Sequence, residues 1–382
     1  MFRKMMGWAG AFCLLFALPA GAEPAGAAEE PAVSAKSAVL YEPVSGRVLL
    51  EKDAHTPRPM ASTTKIMTAL IAMESCQPER EVTVAKEAVL VEGSSLGLRG
   101  GDKINMRDLV TGLMLVSGND AANAIAMEMA GSLPAFAEMM NQKAQELGME
   151  DSSFVTPSGL DAQGHAASAY DMALLAAAAL RNNDLAEICA MRTAKIRLGN
   201  PQRVTMVSNH NRLLSLYPYA VGMKTGFTKK SGRCLVSAAR KDGVTLVAVT
   251  LNAPDDWNDH IAMYERGFAM VESFSLPAPA LPNLPVGGGR TGALTLTMDT
   301  PPAVPLLKGE GERVETIVEL PRFLMAPVLK GEQVGMVRYW AGGRELAALP
   351  IRAAYKIDER PVAGYGGRFK VWLGNLLREF LC

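Results

Sequence analysis

Apolar and polar residues form two kinds of pattern in the first three quarters of the chain. Ser37–Tyr41 and Arg47–Glu51 are strand-forming runs on either side of a Ser45-Gly46 turn, which predicts a β-hairpin. Arg233–Ala239 and Val244–Leu251 predict a second pair of strands. Helix-forming runs lie between and after these pairs, over 62–74, 106–116, 119–131, 134–147, 171–181 and 258–272. Strands at both ends with helices between them predict an α/β (α+β) sandwich whose terminal strands pair.

The pattern changes after residue 272. Residues 273–290 contain four prolines and end near a triple glycine, which is typical of an interdomain linker. Beyond it come short alternating runs separated by turn residues, at 294–298, 315–319, 334–338 and 346–352. These runs predict a small all-β C-terminal domain over residues 291–357.

The first residues have the composition of an export signal. Arg3 and Lys4 precede a short apolar run from Trp8 to Leu18, and the small residues 20–22 suit a signal peptidase. We predict a signal peptide over residues 1–22 and a flexible linker over 23–32, which leaves residues 33–272 as the first folded domain. A buried helix or an uncleaved anchor is the alternative. A signal peptide places the mature protein outside the cytoplasm.

The last segment, residues 358–382, contains the pattern of an amphipathic, membrane-anchoring helix. Its apolar residues recur at three- and four-residue steps, at Phe369, Trp372, Leu373, Leu376, Leu377, Phe380 and Leu381. Its other side is polar and basic, at Arg368, Lys370, Asn375, Arg378 and Glu379. This pattern favours a helix lying in the plane of a membrane surface. A helix docked on its own domain is the alternative.

Composition excludes several classes of function. The chain has 382 residues, with 39 Lys and Arg against 39 Asp and Glu, so it lacks the basic excess of a nucleic-acid-binding protein. Its five cysteines form no C-x-x-C pair, and its four histidines lack metal-ligand spacing. We therefore expect no metal and no cofactor. The cysteines are expected to be buried apolar residues, although disulfides remain open in an oxidising compartment.

Three short motifs carry the candidate chemistry. They are Ser62-Thr63-Thr64-Lys65, Ser117-Gly118-Asn119 and Lys224-Thr225-Gly226, in this order. Each alone has a structural explanation, as a helix cap or a turn. Their joint occurrence in this order is closely similar to the set found in penicillin-binding proteins and class A β-lactamases.

Each motif residue is of a type that suits one role in catalysis by a serine nucleophile. Ser62 and Lys65 are three apart, so a helix brings both to one face, where Lys65 can take the serine proton if its pKa is depressed. Lys224 is the candidate for the cation that depresses it and that attracts a substrate carboxylate. Ser117 is expected to relay a proton to the departing amine, and Asn119 to bond the substrate backbone.

The third motif is expected to hold the substrate along a strand. Thr225 offers a hydroxyl to the substrate carboxylate, and Gly226 leaves room along the strand edge. The backbone N–H groups of Ser62 and Phe227 are the candidate oxyanion hole.

At these residues the chain resembles the low-molecular-mass penicillin-binding proteins, the serine-type D-alanyl-D-alanine carboxypeptidases of the peptidase S11 type. The resemblance extends over nearly the whole chain. Its segments are 59–69 around the nucleophile, 93–96 with Gly101-Asp102, 115–122, 154–161 with 169–172, and 222–228. It implies a five-stranded antiparallel sheet flanked by helices, of transpeptidase/β-lactamase-like fold. It also implies the small β-rich domain, the C-terminal amphipathic anchor, acylation by β-lactam antibiotics and action on peptidoglycan stem peptides at the outer face of the cytoplasmic membrane.

Two positions depart from the family pattern. Phe227 stands where some members have His, and residues 252–257 lack an Arg that some members use to hold the substrate carboxylate. Arg212 is a candidate replacement for it. Three other functions stay open: an endopeptidase or transpeptidase on the same fold, a β-lactamase, and a non-catalytic penicillin-binding sensor. The second motif is S-G-N rather than S-D-N, and no Glu-x-x-Leu-Asn segment is present, which disfavours a β-lactamase.

Overall fold

The structure is a computed structural model that describes residues 30–361 and 372–374. The predicted signal peptide and most of the 23–32 linker lie outside the described residues. So does the predicted C-terminal segment 358–382, apart from residues 358–361, which are not helical, and residues 372–374, which are. Glu359 forms a β-bridge with Gly289, so the first residues of this segment pair with the β-rich domain. The amphipathic stripe and the export signal therefore stay predictions. No helix among the described residues is long and apolar enough to cross a membrane.

A five-stranded antiparallel sheet forms the centre of the first domain, in the order β2-β1-β9-β8-β7. Its strands are β1 (Ser37–Glu42), β2 (Arg47–Lys52), β7 (Ala220–Thr228), β8 (Gly232–Lys241) and β9 (Val244–Leu251). β1 pairs with β9 as well as with β2, so the sheet joins the two ends of the domain. This confirms the predicted pairing of the terminal strands. β7 lies at one edge of the sheet.

Helices cover both faces of this sheet. One helix, α8 (Asp256–Met270), packs on one face with Leu40, Leu246 and Tyr264 in a compact apolar cluster. The larger apolar cluster on the opposite face includes residues from α1 to α6. Their bounds are α1 Lys65–Ser75, α2 Met106–Leu115, α3 Asn119–Ala130, α4 Leu133–Glu146, α5 Ala169–Arg181 and α6 Asn183–Ala190. Because helices cover both faces, β1 is buried along its whole length.

Most helix predictions are confirmed to within a few residues, with two corrections. The predicted helix 62–74 begins at Lys65, because residues Ala61–Thr64 form a 3₁₀ turn. The predicted helix 258–272 ends at Met270, and the next residue starts strand β10. Two short helices, α6 and α7 (Leu213–Leu216), were not predicted, since eight and four residues carry too little periodic pattern.

A second sheet, in the order β3-β4-β5-β6, also escaped prediction. It contains β3 (Glu81–Thr83), β4 (Lys103–Asn105), β5 (Thr193–Leu198) and β6 (Arg203–Ser208). β5 buries only two of its six residues and β6 only one, so their sequences show little apolar alternation.

The C-terminal domain is all β, as predicted. Its largest sheet has the order β13-β18-β17-β15. The strands of this region are β10 Val271–Ser275, β11 Leu284–Gly287, β12 Ala293–Leu294, β13 Leu296–Thr297, β14 Ala303–Leu307, β15 Glu315–Glu319, β16 Leu324–Met325, β17 Gln333–Ala341 and β18 Arg344–Ala353. The segment predicted as a linker thus contains β11 and most of β10, which pairs with β14. Extended segments rich in proline can still pair at a sheet edge.

The cysteines Cys76, Cys189 and Cys234 are free thiols. Cys189 and Cys234 are completely buried, which confirms the prediction that such residues are packed as small apolar side chains. Burial raises the pKa of the Cys189 thiol to about 12 and that of Cys234 to about 11. Cys13 and Cys382 lie outside the described residues.

Candidate active site

Ser62 and Lys65 meet where the 3₁₀ turn leads into helix α1. The Lys65 Nζ lies 2.8 Å from the Ser62 Oγ, as the three-residue spacing predicted. Ala61 holds a φ of 48°, a conformation that is uncommon for a residue with a side chain. Such strain is often found at functional sites, where the surrounding structure must maintain it.

Two further oxygens surround the Lys65 amine. The Asn119 Oδ1 is 2.8 Å away and the Ser158 carbonyl oxygen 2.6 Å away. The orientation of the Asn119 amide follows from its other end, where Nδ2 donates to the Glu92 carbonyl at 2.6 Å. Both oxygens can therefore only accept hydrogen bonds from Lys65.

The protonation state of Lys65 follows from its burial. Its side chain is fully buried, and desolvation lowers its pKa well below the usual value. The positive charge of Lys224 lowers it further, against a smaller raising effect of Asp120. A neutral amine has two N–H bonds and one lone pair. Because Asn119 and Ser158 take the two N–H bonds, the lone pair is left for the Ser62 hydroxyl proton, which is the arrangement of a general base.

Lys224 lies on the edge strand β7 and is also buried. Its Nζ donates to the Thr225 carbonyl at 2.9 Å. Desolvation lowers the pKa of Lys224 to about 7, although the nearby Cys189 opposes this shift. A buried cation near neutral pH gains from an anionic partner, so the site favours a carboxylate here.

Gly226 brings strand β7 onto the nucleophile turn. A Cβ at this position would lie 2.9 Å from the Met60 carbonyl oxygen and 3.0 Å from the Ser62 amide nitrogen. The glycine therefore lets the turn pack on the strand, a reason that differs from the predicted room for substrate. The next residue, Phe227, is 66% exposed. The N–H groups of Ser62 and Phe227 are thus on adjacent segments, as a shared oxyanion site requires.

Ser117 lies between helices α2 and α3 and is 5% exposed. It has a φ of 61°, which is strained for a serine. Among the described residues its hydroxyl has no hydrogen-bond partner, so the predicted proton relay has no direct contact to Lys65 in this structure. Both ends of the Asn119 amide bond within the protein in this structure, and its predicted bond to substrate stays a prediction.

The loop 154–165 supplies contacts that side-chain motifs did not reveal. The Thr68 hydroxyl donates to the Pro157 carbonyl at 2.6 Å, and the next carbonyl, that of Ser158, reaches Lys65. Gly159 has a φ of +82°, and a Cβ there would lie only 2.0 Å from the Ala61 carbonyl oxygen. The Pro157-Ser158-Gly159 turn lies within segment 154–161, which is one of the segments that carry the family resemblance. Its contacts are made by main-chain atoms, so residue types alone do not reveal them.

His165 fixes the same loop to the nucleophile turn. Its Nδ1 accepts from the Val155 N–H at 2.9 Å, so its Nε2 carries the proton and donates to the Thr64 Oγ1, also at 2.9 Å. Desolvation lowers the pKa of His165 to about 4. The imidazole is therefore neutral at pH 7 and acts as a positioning residue.

Asp120 organises the opposite wall of the site. Its buried carboxylate accepts from the backbone N–H groups of Leu96, Gly97, Leu98 and Ala121 and from the Ser95 hydroxyl. The preceding residue, Asn119, donates its own N–H to the Ser94 carbonyl at 2.7 Å. This loop holds the Glu92 carbonyl that orients Asn119.

The structure thus brings the three motifs together around the Lys65 amine, beside strand β7. Thr225 is half-buried on that strand. Arg212 is exposed and directly precedes helix α7, and none of its described contacts links it to the motif residues. Its proposed role in carboxylate binding stays a prediction. Among the described residues, no group of three or more His, Cys, Asp or Glu could hold a metal ion.

Two family models match the chain. Residues 25–255 match the D-alanyl-D-alanine carboxypeptidase family, and residues 280–359 match the C-terminal domain of penicillin-binding protein 5. The chain is 32% identical over 356 residues to the D-alanyl-D-alanine carboxypeptidase DacF of Bacillus subtilis, covering 90% of this chain and 91% of DacF. It is 32% identical over 391 residues to the D-alanyl-D-alanine carboxypeptidase DacC of Escherichia coli, covering 96% of each.

One similar solved structure covers most of the chain. Penicillin-binding protein 5 from Haemophilus influenzae superposes with a TM-score of 0.65 at 27% sequence identity, covering 86% of this chain and 99% of that one. The family models, the relatives and the paired Ser62 and Lys65 agree. The chain belongs to the serine-type D-alanyl-D-alanine carboxypeptidase family of penicillin-binding proteins.

Proposed function

We propose that the protein removes the terminal D-Ala from peptidoglycan stem pentapeptides through an acyl-enzyme on Ser62. The observation that carries the proposal is the set of three oxygens around the buried Lys65 amine, two of which can only accept. That set leaves the lone pair of Lys65 for the Ser62 proton. The activity follows from family membership, and the residue roles are the proposal.

Acylation begins with the transfer of the Ser62 proton to the Lys65 Nζ. The Ser62 Oγ attacks the carbonyl carbon of the penultimate D-Ala, and the N–H groups of Ser62 and Phe227 hold the resulting oxyanion. The proton then passes through the Ser117 hydroxyl to the amine of the terminal D-Ala. The C–N bond breaks, free D-Ala leaves, and an ester joins the shortened stem to Ser62.

Deacylation repeats these steps with water. A water molecule gives a proton to Lys65 and attacks the ester carbonyl, and the proton returns to the Ser62 Oγ as the ester breaks. Lys224 and Thr225 hold the carboxylate of the departing D-Ala in the first half, and Asn119 exchanges one internal bond for the substrate backbone. A β-lactam would enter the same pathway, but its ring nitrogen stays attached after opening, so no leaving group departs.

Muropeptide mass spectrometry tests the activity. Purified protein should remove one D-Ala, about 71 Da, from pentapeptide stems, whereas cleavage of cross-linked dimers would indicate an endopeptidase. Dimer formation would indicate a transpeptidase. Rapid turnover of penicillin would favour a β-lactamase, and an unaltered mixture would favour a non-catalytic sensor.

Intact-mass measurement tests the nucleophile. Penicillin should add one drug molecule to the wild-type protein and none to Ser62→Ala. Lys65→Ala should label very slowly, because Ser62 then lacks its base. Labelling of Ser62→Ala at the wild-type stoichiometry would refute the assignment of the nucleophile.

The chain's relatives act on the cell wall, so the enzyme works in the cell envelope. We infer that the signal peptide over residues 1–22 exports it and that an amphipathic helix within residues 358–382 binds it to the outer face of the cytoplasmic membrane. The β-rich domain would then act as a spacer between membrane and catalytic domain. Support comes from the apolar stripe and basic residues of the C-terminal sequence.

A further inference from the structure

The far end of strand β7 carries a carboxylate that the catalytic steps do not use. Asp161 belongs to the same loop as Ser158 and Gly159, and its Oδ1 accepts from the Thr228 Oγ1 at 3.2 Å. Asp161 is exposed. It takes part in none of the ion pairs found among the described residues.

The oxyanion site determines the register of a peptide on β7. If the acyl D-Ala carbonyl accepts from the Phe227 N–H, its own N–H faces the Phe227 carbonyl, as in a hydrogen-bonded antiparallel pair. The terminal D-Ala then lies opposite Gly226, with its carboxylate toward Thr225 and Lys224. The residue before the acyl D-Ala lies opposite Thr228.

This register determines where the side chain of that residue points. Directly opposed L-residues on an antiparallel pair place their side chains on the same face, with Cβ atoms about 4.5–5.5 Å apart. In a stem peptide this residue is an L-diamino acid, whose side chain ends in an amino group. That side chain therefore lies beside Thr228, on the side where the Asp161 carboxylate is bonded.

We propose that Asp161 binds the free side-chain ammonium of the stem's diamino acid, so that the enzyme prefers stems whose amino group is not acylated by a cross-link. The inference rests on the proposed function and deepens it. Asp161 is a specificity residue for the acyl donor, one step away from the reacting atoms. Lys229 and Lys230 are exposed and follow Thr228 directly, so they weaken the local negative potential.

The expected effect is accordingly modest. Exposed charge pairs typically contribute about 0.2–1 kcal/mol, which corresponds to a preference of roughly 1.4- to 5-fold. The preference should decrease as salt rises, because exposed charges are screened.

Two synthetic peptides test this inference. They are Nα-acetyl-L-Lys-D-Ala-D-Ala, with a free side-chain amine, and its Nα,Nε-diacetyl counterpart. The ratio of their kcat/KM values, from released D-Ala at low and high salt, is the measured quantity. Wild-type protein should favour the free amine by a few-fold at low salt, and Asp161→Asn should bring the ratio close to one.

Asp242→Asn is the matched control. Asp242 is an exposed aspartate in the β8–β9 turn, which joins the ends of these strands remote from Thr228, and its φ of 49° suits asparagine. This variant should keep the wild-type ratio. Penicillin labelling shows whether Asp161→Asn is folded. If this variant is not folded, the salt dependence of the wild-type kcat/KM ratio tests the inference in its place.

Three outcomes would overturn the inference. They are a wild-type ratio of one, a ratio that Asp161→Asn leaves unchanged, and a ratio that salt does not alter. If the wild-type protein releases D-Ala from neither peptide, the proposed function itself is refuted, and this inference with it.

Discussion

Gly159 offers the sharpest test of how the main chain builds the site. An alanine Cβ there would lie 2.0 Å from the Ala61 carbonyl oxygen and 2.5 Å from its carbon. Real Cβ contacts are essentially never closer than 3.0 Å, so the loop and the nucleophile turn must separate by about 1 Å. That movement shifts the Ser158 carbonyl away from Lys65 and disturbs Ser62. A misplacement of about 1 Å in an active site can cost on the order of 100-fold in rate.

Backbone strain must be separated from displacement. Gly159 has a φ of +82°, and an alanine in this region costs about 1–2 kcal/mol. Gly164 is the matched control, because it has a φ of +80° in the same loop but no atom within 4 Å of its added Cβ. Gly164→Ala should therefore carry the same strain without displacing the turn.

The assay pairs thermal unfolding with the rate of acylation by a fluorescent penicillin. Both variants should lose a few degrees in Tm, roughly 2–8 °C, from the shared strain. Only Gly159→Ala should lose acylation rate, by about 100-fold. If both variants acylate equally fast, the contact between loop and nucleophile turn does not position the catalytic groups, and the reasoning fails.

Three other predictions concern charge, pH and location. Lys224→Ala removes the cation that helps lower the pKa of Lys65, so the pH–rate profile of acylation should shift to higher pH and the substrate KM should rise. An unchanged pH–rate profile and an unchanged KM would exclude this role. The pKa of His165 falls from 6.5 in the unfolded chain to about 4 in the folded protein, so the neutral imidazole stabilises the fold fully above pH 6.5. As pH decreases toward 4, the free energy of unfolding should fall by up to about 3 kcal/mol. In urea unfolding, His165→Gln should lose less free energy of unfolding over that range, and an equal loss would contradict the assignment. A chain ending at Asp358 should cleave D-Ala-D-Ala peptides without sedimenting with anionic liposomes, whereas the mature chain should sediment with them; if neither binds, the terminal helix docks on its own domain.

Local patterns in the sequence were sufficient for much of the fold. Other elements cover at least one face of the hairpin β1–β2 and of strands β8 and β9. Buried strands need apolar residues, so these strands appear in the sequence as apolar runs. The same holds for helices α1 to α5, whose buried faces recur with the helical period. The exposed β5–β6 hairpin buries three of its twelve residues, so nothing in its sequence distinguishes it from a loop.

The candidate site divides in the same way. Ser62 and Lys65 were predictable as a pair because three residues of helical or 3₁₀ chain bring their side chains together. The contact between Asn119 and Lys65 was not predictable, since 54 residues separate the two positions. The orientation of the amide depends on the Glu92 carbonyl, which a third segment supplies.

Only the tertiary structure decided what main-chain atoms and burial contribute to the site. Every residue has a carbonyl oxygen, so no residue type marks Ser158 as the one that takes a proton of Lys65. The depressed pKa of Lys65 and of Lys224 comes first from desolvation, which exists only once distant segments exclude water. The sequence by itself determined which side chains are available for the chemistry, because that is a matter of residue identity. Chain folding decided which backbone groups complete the site, because those groups are chemically alike until packing brings a few of them together.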